Sequence, residues 1–227
     1  TSGSGNITLL TAGNSATVLN GTISGGGSGT VLYFQGGGQG QNTGALTLNG
    51  NNTGLTGTIN VQRGPLILGN SNAAGTAATI LDSNSPPAGA LQLGNFTIAN
   101  NLQLVGGASV GVSTGNSAGI SGTLTGSAAF SKLGAGSLTL SNSNTYAGVT
   151  TVSAGTLSVT GSLSSSASAV TVQTGATLNV TGAISRPVTI DSGGTLSGNG
   201  AQFNSSVTIN GTHSPGSSPG LQTLSSG

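Results

Sequence analysis

The sequence predicts an all-β chain wound as a single parallel β-helix, a β-solenoid with coils of about 17–21 residues. Three observations carry that prediction. Short apolar runs alternate at period two along the chain, the mark of strands with one buried face, and glycine or asparagine stands at nearly every break. The pattern also recurs at a fixed spacing. Val152, Val172, Ile190 and Ile209 each close a short strand at steps of 20, 18 and 19, and Thr156, Thr177, Thr195 and Thr212 open the next strands at steps of 21, 18 and 17. Finally, the runs are too short for stable hairpins, so each strand must find its partner one coil away, which argues against a sandwich. Stacked coils then line an apolar interior with Leu, Ile and Val and turn Thr, Ser and Asn outward. Eleven or twelve coils at the usual strand spacing make a rod about 55 Å long.

Composition supports one elongated array, residues 1–227 as one continuous solenoid. The chain has 43 glycines and 2% charged residues, with no Cys, Met or Trp. Disordered chains share the glycine and serine but lack regularly placed branched residues. Arg63, Lys132 and Arg186 are too few and too dispersed for a phosphate-binding surface, so no nucleic acid partner is expected. No apolar run reaches the length of about 18 residues that a membrane helix needs, so this segment is not expected to insert into a membrane. The chain opens on Thr1 with no signal peptide, which suggests a processed product or a fragment. So little charge leaves little repulsion between copies.

In chain order, Asn6–Leu10, Ala16–Leu19 and Thr22–Ser24 read as strands, with a turn at Gly13-Asn14 and a glycine cluster from Gly25 to Gly29. Val31 to Phe34 is a strong strand, followed by a loop from Gly36 to Gln41. Asn70 to Ala90, with Asp82 and Pro86-Pro87, reads as a long corner loop. Alternation resumes at Leu91–Leu93, Phe96–Ile98, Leu102–Leu104 and Val110–Val112, and then at Gly122–Gly126. Residues 211–220, which include His213 and two prolines, read as a Pro/Gly corner before a last strand at Leu221–Leu224, because proline cannot donate to a sheet ladder.

Two segments are related, 44–69 and 132–160. Gly44, Leu46, Leu48, Asn52 and Thr53 match Gly136, Leu138, Leu140, Asn144 and Thr145 at an offset of 92. Val61, Gly64, Leu66 and Leu68 match Val152, Gly155, Leu157 and Val159 at 91. At the expected period this places them about five coils apart.

The second segment, Lys132 to Val159 (KLGAGSLTLSNSNTYAGVTTVSAGTLSV), resembles the passenger-associated transport repeat of bacterial autotransporters. That pattern runs glycine-x-glycine, a Leu-Thr-Leu strand, Asn-Thr-Tyr-x-Gly, then Ala-Gly-Thr-Leu and a valine. It is carried here by Gly134, Gly136, Leu138, Leu140, Asn144, Thr145, Tyr146, Gly148, Gly155, Thr156 and Leu157, with Thr151, Val152 and Ala154 between them. The earlier segment has Gly54 where the tyrosine falls and Pro65 in place of the late threonine. The resemblance implies a right-handed parallel β-helix exported to the surface of an outer-membrane bacterium. In that family the repeat is associated with efficient secretion and with the stalk, and has no chemistry of its own.

The residue inventory points the same way. Glycoside hydrolysis needs two nearby carboxylates, and Asp82 and Asp191 should lie about six coils apart. A Ser-His-Asp set would have to use His213 and Asp191, with no nucleophile elbow beside them. A calcium-binding repeat needs an aspartate in every unit, and metal sites lack ligands. The clusters Gly25–Gly29 and Gly36–Gly40 precede neither Lys-Ser/Thr nor a helix, so they read as corners rather than phosphate loops. Tyr146 is expected to pack at a corner, whereas Tyr33 and Phe34 could pack or form an exposed adhesive patch. The expectation is therefore a secreted, noncatalytic structural solenoid without cofactor or metal, a stalk or fibre segment at the cell surface. Its partners would be copies stacked end to end or the rest of a longer passenger chain. The alternative is an adhesin that binds host or surface glycans through one face.

Overall fold

A computed structural model describes residues 5–11, 15–27, 29–36, 44–82, 91–166, 168–216 and 222–224. Among them every element is a strand of two to six residues, and every strand pairing is parallel. The molecule is a β-solenoid. Its strands form sheets of six, ten, seven and five members, in which each strand pairs with its counterpart from the next coil. The six-stranded sheet closes with Leu124–Gly126 and the five-stranded one opens with Ser143–Asn144. The Asn144 side chain takes up the Leu124 N–H across that junction, so the two sheets continue one face. The coil is three-sided.

Alternation decides which residues enter the core. Strands such as Thr150–Val152, Val170–Val172 and Val188–Ile190 bury their outer two residues and half-expose the middle threonine. Register then stacks like upon like. Leu138, Leu157, Leu178 and Leu196 form an inward column on the seven-stranded sheet, and Leu46, Leu66, Leu91 and Val110 form another on the ten-stranded sheet. All of these are buried, and each fully buried leucine contributes about 1.5–3 kcal/mol of apolar transfer.

The strand endings at Val152, Val172, Ile190 and Ile209 pair in sequence, as their spacing implied. Early coils are longer. Thr17 pairs with Leu46, a step of 29, and Leu66 with Leu91, a step of 25, whereas the steps from Leu91 onward run between 18 and 22. These insertions lower the count. The tallest single sheet has ten strands rather than eleven or twelve coils, a stack on the order of 45 Å.

Three local expectations change. Within Asn70 to Ala90 the chain forms a strand, Ala78–Leu81, that pairs with both neighbouring coils. It is inconspicuous because only Thr79 and Leu81 are inward, and one of them is polar. Thr22–Ser24 is not a strand; an isolated bridge from Gly25 to Leu55 stands there instead. His213 lies within a strand, Thr212–Ser214, with its backbone paired to Leu196, because the prolines begin only after it. The Gly13-Asn14 turn, most of the Gly36–Gln41 loop, Pro86-Pro87, positions 217–220 of the terminal corner and position 221 of the expected last strand lie outside the described residues.

The two related segments occupy different sides of the coil. Leu46–Leu48 belongs to the ten-stranded sheet and Ser137–Leu140 to the seven-stranded one. Likewise Leu66–Leu68 lies on the ten-stranded sheet and Thr156–Val159 on the seven-stranded. Four strands of the ten-stranded sheet follow Leu46–Leu48 before Ser137 is reached, so the offset spans four coils and one side rather than five whole coils.

Candidate functional site: the repeat coil and its buried cations

The stretch from Phe130 to Val159 runs through one coil, Phe130–Leu133, Ser137–Leu140 and Ser143–Asn144, and into two strands of the next, Thr150–Val152 and Thr156–Val159. Its glycines stand where the backbone of one coil meets the next. Gly134 and Gly155 have positive φ, and side chains at Gly136 or Gly148 would run into the carbonyls of Ser113 and Ala128 below. Leu138, Leu140 and Leu157 are inward and fully buried, Thr156 is half-buried, and Thr145 faces solvent while its N–H donates to the Leu124 carbonyl at 2.9 Å.

Asn144 turns the corner between two sides of the coil. Its Oδ1 accepts from the Leu124 N–H at 2.9 Å in the coil before, and its Nδ2 donates to the carbonyls of Asn142 at 2.8 Å and Ser162 at 3.2 Å. Asn52, its counterpart in the first segment, does the same work. It accepts from the Ile23 N–H and donates to the Ala73 carbonyl, both at 2.7 Å. A buried amide that satisfies backbone groups in both adjacent coils explains why asparagine recurs at this point of the motif.

Tyr146 is fully buried at the same corner. Its hydroxyl lies 2.6 Å from Thr150 Oγ1, and its ring meets Phe130 at 5.7 Å between centroids. The guanidinium of Arg186 sits 4.6 Å from the ring centre. Arg186 Nη2 donates to the Tyr146 carbonyl at 2.6 Å, Nη1 to the Gly148 carbonyl at 3.0 Å and Thr150 Oγ1 at 3.2 Å, and Nε to the Ser165 carbonyl at 3.1 Å. Burial raises the Tyr146 pKa, opposed by the Thr150 hydrogen bond and the Arg186 charge. It lowers that of Arg186, opposed by the tyrosine.

Lys132 is the second buried cation. It occupies an inward row between Val110 and Val152, and its Nζ donates to the carbonyls of Gly134 at 2.7 Å, Leu133 at 3.0 Å and Ala154 at 3.1 Å. Burial lowers its pKa to about 8 from the ordinary 10.5. Between these values the unfolded chain holds a proton that the folded chain releases, so stability rises with pH from about 8. The raised pKa of Tyr146 acts in the opposite direction above 10, where the unfolded tyrosine ionises first. Urea denaturation midpoints of the wild-type chain should therefore climb between pH 8 and 10, and those of Lys132→Met should stay flat. An equal climb in the variant would show that Lys132 is not the group responsible.

Sequence reasoning passed over both cations, since lysine and arginine are rarely fully buried. The signal was present for Lys132: counting back 20 from Val152 lands on it. Arg186 has only strand parity with the inward Ile184 to mark it.

The remaining candidates are dispersed. Asp82 follows strand Ala78–Leu81 on the six-stranded sheet and Asp191 follows Val188–Ile190 on the ten-stranded one, on coils six apart and separated by more than about 24 Å. Asp191 and His213 lie on successive coils but on different sides. Phe34 is fully buried, so it can contribute nothing to an adhesive patch with the half-exposed Tyr33. Among the described residues no group of three or more His, Cys, Asp or Glu could hold a metal ion, and no helix is long and apolar enough to cross a membrane.

Residues 130–159 match the Passenger-associated-transport-repeat family. Comparisons with curated proteins and with solved structures give no match.

Proposed function

We propose that this chain, a β-solenoid carrying a passenger-associated transport repeat, is a noncatalytic stalk segment of an autotransporter passenger at the bacterial cell surface. One observation carries the reading. Both fully buried cations and the buried asparagines direct their polar groups at backbone carbonyls and amides, most of them in neighbouring coils, and so serve the stack rather than a ligand. In this reading the partners are further coils, either the rest of a longer passenger chain or copies stacked end to end. Negative-stain microscopy across a concentration series tests the second form: filaments whose length grows with concentration support it, and uniform short rods at every concentration exclude it.

A second reading has its own observation. The seven-stranded side sets outward hydroxyls in register, Ser137, Thr156, Thr177, Thr195 and Thr212, with no charge among them. An uncharged, evenly spaced hydroxyl column suits a neutral glycan chain, which is the adhesin alternative. Glycan-array binding that disappears when Thr156 and Thr177 become valine would favour it, and an array with no binding by the folded protein would remove it.

A further inference from the structure

We propose that the Asn-Thr-Tyr-x-Gly corner of the repeat is a guanidinium receptor, and that Arg186, supplied two coils later, docks there to join the coils from Phe130 to Ile190 into one cooperative unit. In a solenoid each repeat ordinarily touches only its neighbours. Arg186 does not obey that limit. Its Nε bonds the next coil at Ser165, 21 residues away, while Nη1 and Nη2 reach past it to Gly148, Thr150 and Tyr146, at separations of 38, 36 and 40.

The corner matches a guanidinium in several independent ways. The Tyr146 and Gly148 carbonyls and the Thr150 hydroxyl accept from the two Nη groups, and the face of Tyr146 lies 4.6 Å from the cation. Phe130 supports the ring from another side. No carboxylate neutralises the charge: the only acids in the chain are Asp82 and Asp191, and among the described residues neither bonds Arg186. Carbonyl dipoles and one aromatic face must therefore hold a desolvated cation, which only a planar multidentate donor does well. Pro187 favours the extended backbone that sends Arg186 inward.

The family match ends at residue 159, so the receptor lies inside the repeat and its donor lies outside it. The unit that folds as a whole is thus about twice the length of the motif. The first segment fits this account, because Gly54 stands where the tyrosine would be and that corner has no ring to offer. The proposal stands equally whether the segment is a stalk or a binding surface.

Chemical rescue tests it. With Tyr33→Phe as the background, Tyr146 is the only tyrosine and the only strong intrinsic fluorophore, since the chain has no Trp. In that background Arg186→Ala should unfold at a temperature several degrees lower and change the Tyr146 emission. Millimolar methylguanidinium should restore both the Tm and the emission in Arg186→Ala, leave the parent unchanged, and have no counterpart with methylammonium. No rescue, or equal rescue by methylammonium, overturns the receptor. If Arg186→Ala does not fold, Arg186→Lys replaces it with hydrogen exchange as the readout. Amides of Thr150–Val152 and Val188–Ile190 should exchange with one common opening rate in the parent and separate in the variant. A common rate retained in Arg186→Lys overturns the cooperative unit.

Discussion

Substituting Gly155 with alanine is expected to destabilise the central coils by about 3 kcal/mol or more. Two costs add at this position. Its φ of +65° is one that an L side chain adopts only with strain, about 1–2 kcal/mol. The new methyl would also overlap the Gly136 carbonyl oxygen and lie 2.7 Å from the Gly134 oxygen, all of it backbone that cannot swing aside. Those atoms are already committed, because the Gly136 carbonyl accepts the Thr156 N–H and the Gly134 carbonyl accepts from Lys132 Nζ. Gly175 separates the two costs. It has φ of +77° but open space where a Cβ would stand, so Gly175→Ala should lose only about 1 kcal/mol. Equilibrium urea denaturation of both variants checks the difference, and equal losses would show that the close approach at Gly155 relaxes.

Leu157→Ala is the second large effect, at about 2–5 kcal/mol. Leu157 is fully buried in the middle of an inward column, with Leu138 on one side and Leu178 on the other. The cavity it leaves is walled by backbone held in parallel ladders, which limits collapse into the space. Ile209 makes a useful contrast: it belongs to the same kind of inward row but is 38% exposed, and Ile209→Ala should cost about 1 kcal/mol or less. The same denaturation series, read beside amide exchange in Thr156–Val159, tests whether the loss is centred on the coil that was emptied.

The strands were readable wherever alternation involved apolar residues on both inward positions, as in Leu138-Thr139-Leu140 or Val170-Thr171-Val172. They were unreadable where an inward place went to a polar group. Thr79 is buried in a strand that reads as loop, and His213, exposed on the last coil, continues the register of a leucine column in a stretch dominated by proline and glycine. Period alone carried the stacking of the later coils, where steps stay near 20. It failed in the first third, where a step of 29 and another of 25 add residues between strands without changing which strands pair. At the repeat corner, the motif pointed to Tyr146 as a packed side chain, which it is. Its cation was beyond reach of the sequence. Arg186 contacts it across two coils, and nothing local to either residue encodes a separation of 40.

The rotation between the two related segments bears on how such chains are compared. Aligned by letters, Leu46 falls on Leu138; placed in the molecule, the first belongs to one wall of a three-sided spool and the second to the next. The text of the repeat therefore behaves like a tape whose printing can slip against the spool by a third of a turn. The inward lining survives such slippage because every wall accepts the same alternation. What faces outward does not, since a slipped copy displays its hydroxyls toward a different quarter. A surface property found on one copy thus cannot be carried to another by sequence position; it has to be carried by wall and rung.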